Sequence, residues 1–419
     1  MLYDIGIIGG GASGMAACIA AAETGASVLL LERMPQLGRK IPATGNGRCN
    51  LTNLRVRRGK DMTPFYRGQE TAFAGRVLSQ FDSADTIRFF QSIGVYTHDR
   101  DGYVYPLSDQ ASTVRDALER AVRSFRSVTV REGVQVTKAR FVKDGRYFQI
   151  TAGQETFRAA KLIIASGGQS QSRLGSDGSG YALCRSFGHK VIPAVPALCA
   201  LHAADQAQFF KTCAGVRCRA AVSVFENGSF MESSSGELQL TAYGLSGIPV
   251  FQISRFAAYA LRQRSRVSAQ VDFVPEMREG KLRTFLQEEG RRHPDYTAEQ
   301  VLCGIVNSRL AQALCRIAGI RPQQRMKDSD GQLAALVRSL KKLRFEIKGT
   351  NDFDQSQVTA GGISTREIDS NTMMSRLVPG LYITGELLDI EGICGGFNLQ
   401  WAWATGVLAG RHAAGGRHA

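Results

Sequence analysis

Two short stretches near the start of the chain carry residue types that a packed core has little use for. Gly9-Gly10-Gly11-Ala12-Ser13-Gly14 has the GxGxxG spacing, and "GRKIPATGNGRCN", Gly38 to Asn50, gathers three glycines, three cations and two asparagines. In the first, Gly9 makes a tight turn, Gly11 lets the backbone approach a pyrophosphate, and Gly14 lets a helix pack closely on a strand. A helix opening at Ala12 and Ser13 would present free N–H groups to phosphates. Glu32, about twenty residues on, is placed to accept from ribose hydroxyls. In the second stretch, Arg39 and Lys40 can act as charge-assisted donors to anionic oxygens.

The elements around these residues must hold them in order. Asp4 to Ile8 is a short apolar run that reads as a buried parallel strand, an Ala-rich helix follows to about Thr24, and "SVLLLE" gives a second strand ending at Glu32. That strand–helix–strand context makes the glycine motif a dinucleotide clasp, with NAD and FAD both open at this point. Two later segments bear on the choice. "AKLIIASGG", Ala160 to Gly168, ends a buried strand in small residues, among them Ala165, Ser166 and Gly167. "GLYITGELLD", Gly380 to Asp389, repeats strand, glycine and carboxylates through Gly385, Glu386 and Asp389. The chain holds a single GxGxxG, so a second, nicotinamide-dedicated domain is not expected, and a late strand suits FAD. "GGFNLQWAWATG" then opens a helix near Phe397, Asn398 and Leu399, with Trp401 and Trp403 read as core packing.

A chain of 419 residues, 43% hydrophobic and 21% charged, is long enough for two or three globular domains. No run approaches eighteen uninterrupted apolar residues, so no membrane insertion is expected, and the N-terminus reads as a strand. The nine cysteines lack CxxC spacing and read as reduced thiols of a cytoplasmic protein, with no metal site. Net charge is +15, with clusters at "RVRRGK", "RRH" and "KKLRFEIK". These are not interleaved with aromatics, which favours anionic small-molecule ligands over nucleic acid.

"GRKIPATGNGRCNLTN", "VTAGGISTREIDSNTMMSRLVPGLYITGELLDIEG" and "CGGFNLQWAWATG" resemble the signatures of a bacterial flavoprotein family that includes bile-acid dienone reductases and aminoacetone oxidases. The resemblance spans essentially the whole chain. It implies α/β architecture: a glutathione-reductase-like, non-covalent FAD-binding Rossmann domain interrupted by a β-rich insert with a helical segment. The expected parts are 1–192 and 349–419 for the FAD domain and 193–348 for the insert, β-rich over about 193–275 and helical over about 276–342. It further implies that Gly45 and Gly47 run beside the isoalloxazine ring, that Asn46, Arg48 and Asn50 meet its polar edge, and that Cys49 packs near it. Arg33 and Val136 complete the expected cofactor contacts, and the helix at Phe397 to Leu399 is expected to aim at the flavin's pyrimidine end.

One departure matters for mechanism. Many family members carry "THxGLSGP" where this chain has "TAYGLSGIP", so Ala242 stands at the histidine position beside Tyr243. Tyr243 could donate a proton or serve as a partly buried structural tyrosine, and Cys394 has a similarly split reading. Three activities follow from the resemblance and the charge. The first is NAD(P)H-driven reduction of an activated C=C bond in a conjugated ketone such as a 3-oxo bile acid or steroid. The second is oxygen-linked amine oxidation, and the third, suggested by charge alone, is modification of a nucleic acid.

Overall fold

The computed structural model describes residues 1–415, and the chain packs as two compact units, residues 1–194 with the segment from Gln357 onward, and residues 195–356. In the first unit the strand Leu2–Ile8 lies mid-sheet, which is why its second half is apolar on both faces. It pairs in parallel with Val28–Leu31 on one edge and Glu155–Ile164 on the other, and Val128–Arg131 extends the sheet beyond Val28–Leu31. The long strand Glu155–Ile164 divides its outer edge. Its first half runs antiparallel to Tyr147–Ala152, and Leu162–Ile164 runs parallel to Leu381–Ile383. The last strand therefore returns from more than two hundred residues away to lie beside the sheet's centre.

Two helices set the geometry at the carboxyl ends of these strands. Ala12–Ala22 and Phe397–Ala413 are buried along nearly their whole lengths and pack backbone to backbone. A Cβ at Gly406 would stand 2.3 Å from the Ser13 carbonyl, and one at Gly410 would stand 2.3 Å from that of Ala17. Glycines four apart on one helix, facing a run of alanines on the other, permit that approach. Trp401 and Trp403 are buried, and their indole N–H groups donate to Gly385 O and Leu51 O, each at 3.0 Å. Beside the second helix, Thr52–Asn53, Tyr103–Pro106 and Thr97–Arg100 form a small antiparallel sheet.

The second unit is a closed six-stranded antiparallel barrel: Leu201–Ala203, Gly244–Gly247, Ser229–Thr241, Arg217–Glu226, Val267–Asp272 and Leu343–Thr350. Asn227 and Gly228 join its longest hairpin with φ of 50° and 86°, the two positive values that a two-residue primed turn requires. Two features differ from the sequence reading. The helix Ile248–Arg262 falls inside the stretch read as β-rich; its buried Val250, Ile253, Ala257 and Ala260 keep helical spacing. Leu343–Thr350 closes the barrel against Val267–Asp272 and Leu201–Ala203, so this unit extends to Ser356 and the chain rejoins the first at Gln357.

Candidate functional site

The parallel strands of the first unit end together, at Ile8, Leu31, Ile164 and Ile383, and a cleft of about 980 Å³, counting its open mouth, lies beyond them. This is where an open parallel sheet places a ligand. Gly9, with φ of 105°, turns the first strand so closely past the third that a Cβ would stand 2.6 Å from Ala165 O. Gly11 is different: its backbone is ordinary extended chain, and a Cβ there would meet no protein atom within 4 Å. It lines the cleft, so the space that a side chain would fill is ligand space. The helix starting at Ala12 has neither a side-chain cap nor an acidic residue in its first turn, leaving its positive end facing the cleft.

Carboxylates and two cations, Arg39 and Lys40, shape the polar walls. Glu32 is buried and accepts from Gly10 N at 2.6 Å through Oε2 and from Met34 N at 2.7 Å through Oε1. Burial pushes its pKa up, against the pull of those two N–H donors. The carboxylate thus clamps the glycine turn and still presents lone pairs to the cleft. Lys40 Nζ pairs with Glu386 Oε2 at 2.9 Å and donates to Ser170 O at 3.2 Å, while Glu386 Oε1 accepts from Thr359 N at 2.7 Å. At the far end, Asn398 closes a pair of hydrogen bonds with Gly392, accepting its N–H and donating to its carbonyl, both at 2.8 Å. That pair fixes the uncapped start of the Phe397–Ala413 helix, whose Asn398 and Leu399 line the cleft.

Of the residues expected at the cofactor, Gly9, Gly11, Ala12, Ser13, Glu32, Arg39, Lys40, Ala165, Ser166, Gly167, Glu386, Asn398 and Leu399 line this cleft. The others are placed elsewhere, each for a local reason. Gly14 sits behind the turn, where a Cβ would lie 1.8 Å from Gly9 O. Arg33 is taken by the Asp177 carboxylate and by Ser172 O. Asn46, Gly47 and Arg48 are exposed, while Cys49 is buried and its thiol is pushed up to about 12 by desolvation. Asn50, with its amide nitrogen toward Thr52 O (2.9 Å) and Val104 O (3.2 Å), accepts from Gly396 N at 3.2 Å and so braces the double-glycine turn. Val136 is buried among core side chains. Gly385 receives the Trp401 indole, Asp389 accepts from Gln69 N at 3.0 Å, and the Phe397 carbonyl takes the Tyr66 hydroxyl at 2.9 Å.

Sequence reasoning missed Met34, Gln36, Ser176, Gln357, Val358 and Ile390, which also line the cleft. Met34 and Gln36 follow Glu32 directly, whereas Ser176, Gln357, Val358 and Ile390 come from parts of the chain far away in sequence. Trp401, read as core packing, is buried and lines the cleft as well. Neither catalytic candidate does. Tyr243 is 47% exposed on the barrel unit, not partly buried, with its ring 4.8 Å from that of His202. His202 in turn bonds Asn351 Oδ1 through Nε2 at 2.7 Å. Cys394 precedes the double glycine, and burial pushes its thiol up to about 12.

Does this cleft suit FAD? The uncapped helix start, the empty volume over Gly11 and the Ser166 hydroxyl, which has no hydrogen-bond partner among the described residues although its oxygen is buried, are what a pyrophosphate-bearing dinucleotide would use. A second uncapped helix start, at Phe397, stands at the same cleft and suits a ring that takes up negative charge on reduction. Fold and cleft together define a dinucleotide-binding protein of the Rossmann type, and its cradle fits FAD. The chain belongs to the family described as HI0933-like protein Rossmann domain, whose model matches residues 3–412. It is 45% identical over 415 residues to the 3-dehydro-bile acid delta(4,6)-reductase of Clostridium scindens, covering 98% of both chains. It is 31% identical over 405 residues to the ribosomal RNA dihydrouridine synthase of Escherichia coli, covering 96% of each. Among solved structures, a quinol-fumarate reductase with menaquinol molecules aligns at a TM-score of 0.50 and 15% identity, over 99% of this chain and 71% of that one, a likeness of fold.

Proposed function

We propose that the protein reduces a C=C bond conjugated to a ketone, as in a 3-oxo bile acid or steroid, with NAD(P)H as electron donor. The observation that carries this reading is the 45% identity, end to end, to a reductase of a 3-dehydro-bile acid. FAD, when bound, would supply the chemistry by taking hydride from NAD(P)H and delivering it from N5 to the electron-poor carbon distal to the ketone. The chain's own part is to bind, orient and bias. Gly11 and the first-turn N–H groups of Ala12 and Ser13 would hold the pyrophosphate, and Glu32 the ribose. The helix start at Asn398 and Leu399 would favour negative charge at the ring's pyrimidine end.

A proton must reach the carbon beside the ketone. The Cys394 thiol, raised to about 12, keeps its proton at neutral pH but is a weak acid for this task. Tyr243 stays a candidate only as an exposed hydroxyl of the barrel unit.

The E. coli relative favours a second reading, because a dihydrouridine synthase also saturates a C=C bond conjugated to a carbonyl, on an RNA base. One experiment separates them. Purified yellow protein is reduced under nitrogen by NADH or NADPH, then mixed with a 3-oxo-Δ4 steroid acid, with unmodified ribosomal RNA, or with air. Fast reoxidation by the steroid acid alone is the expected result. Fast reoxidation by RNA would replace this reading with the second, and rapid bleaching of the oxidised protein by aminoacetone would replace both with amine oxidation.

A further inference from the structure

The small sheet beside the double-glycine turn has one buried face and one open face, and register decides which residues share the open one. Tyr103 and Tyr105 are two apart on a strand, and they stand opposite Arg100 and His98 respectively. Cross-strand partners share a face, so all four side chains project from the same side. Val104, on the other side, is buried, whereas His98, Tyr103 and Tyr105 are half-buried and Arg100 is exposed. The Tyr103 ring lies against the Gly395 turn, where a Cβ would stand 2.4 Å from its Cε1, and Asn53 ties the sheet to that turn by donating to Gly395 O at 3.0 Å. The face thus adjoins the helix start at the far end of the cleft.

The face carries two guanidinium groups, with Asp99 and Asp101 flanking Arg100 along the hairpin. Burial pushes the Tyr105 hydroxyl's pKa up, with Tyr103 and Asp109 adding to it, and the nearby Arg100 and Arg48 charges pull against that rise. Asp109 is engaged by His98 Nε2 at 3.1 Å. Neither guanidinium has an ion-pair or hydrogen-bond partner among the described residues, although the Arg48 backbone N–H donates to Gly45 O. Two aromatic rings flanked by two unpaired guanidinium groups suit a flat ring system that carries an anionic group, and the reductase reading makes that group a carboxylate.

We propose that this face, built from Tyr103, Tyr105, Arg48 and Arg100, is the docking surface for the substrate. It would hold the ring system on the tyrosines and the carboxylate on the arginines. This rests on the reductase reading above and assigns it a recognition element that the glycine motifs do not contain.

The test uses Arg48→Gln, Arg100→Gln and the double variant in the full chain loaded with FAD. Steady-state KM is measured for a 3-oxo-Δ4 steroid acid and for its methyl ester. The double variant should raise KM for the acid about five- to tenfold, the size expected of two partly screened charge contacts, while the ester changes less than about twofold. The flavin absorbance spectrum should stay as in the unsubstituted protein. Equal effects on acid and ester, or none on either, would overturn the proposal. Should the unsubstituted protein turn over neither steroid, the reductase reading fails, and a direct binding measurement still decides this one. Fluorescence titration should show pyrenebutyrate binding about five- to tenfold more tightly than pyrenebutanol, with the difference erased in the double variant. Equal binding of the two probes, or arginine-dependent retention of a short RNA without any preference for pyrenebutyrate, would refute the face as a carboxylate site.

Discussion

Gly11 and Gly14 stand three residues apart in one motif, yet they should fail in opposite ways when substituted. At Gly11 the backbone is ordinary extended chain and a Cβ meets nothing within 4 Å, so Gly11→Val leaves the cofactor-free fold nearly intact. Its cost is that of a poorer N-cap, about 1 kcal/mol at most. In a unit of this size that lowers the melting temperature by about 2–4 °C. The new side chain nevertheless occupies the cleft where the pyrophosphate would run. FAD at a hundredfold excess over its dissociation constant should stabilise the unsubstituted protein by about 2.7 kcal/mol, or about 5–10 °C, and this increment should vanish in Gly11→Val. Gly14→Ala is the contrasting case. Its Cβ would stand 1.8 Å from Gly9 O, so the turn must move, and the variant should melt far lower with or without cofactor. Thermal melts of FAD-stripped protein, with and without added FAD, read both effects. A Gly11→Val protein that keeps the full FAD-induced shift would show that the cleft over Gly11 is not the pyrophosphate site.

Two further outcomes follow from polar contacts in the same unit. Lys40→Met leaves Glu386 Oε2 without its cation. Because both side chains are about a fifth exposed, the cofactor-free protein should lose only about 1 kcal/mol. FAD affinity, measured by flavin fluorescence, should fall about tenfold or more if the ammonium also meets cofactor phosphate; a loss no larger than the stability change would remove Lys40 from the binding set. His189 is buried between Glu367 Oε2 (2.9 Å from Nδ1) and the Ser375 hydroxyl (2.8 Å from Nε2). Ser375 Oγ already accepts from Leu377 N and Val378 N, so its proton goes to Nε2 and the imidazole is held neutral. Burial accordingly depresses its pKa, against the pull of Glu367. The clasp should contribute fully above about pH 6.5 and be lost as pH falls toward and through the lower folded value. Melting curves should show an acid limb that flattens in His189→Gln, and an unchanged limb would refute the assignment.

The sequence by itself determined the parts of this protein that depend on neighbours along the chain. The turn at Gly9, the helix at Ala12 and the acid at Glu32 follow from spacing, because a strand–turn–helix needs those residue types at those offsets. The primed turn at Asn227–Gly228 is local in the same way. What the tertiary structure decided is which residues meet across hundreds of positions. Nothing local says that Leu381–Ile383 lies beside Leu162–Ile164, or that Gln357 and Ser176 share the cleft with Gly11. The loop from Gly38 to Asn50 shows the limit most clearly. Its glycines and cations advertise a ligand, yet packing sends Arg39 and Lys40 to the cleft, Asn50 to the Gly396 turn and Arg48 to an open face. Composition can mark such a segment as special. Only the competition among buried carboxylates, free N–H groups and close backbone approaches assigns each side chain its partner, because those contacts form after the chain has folded back on itself.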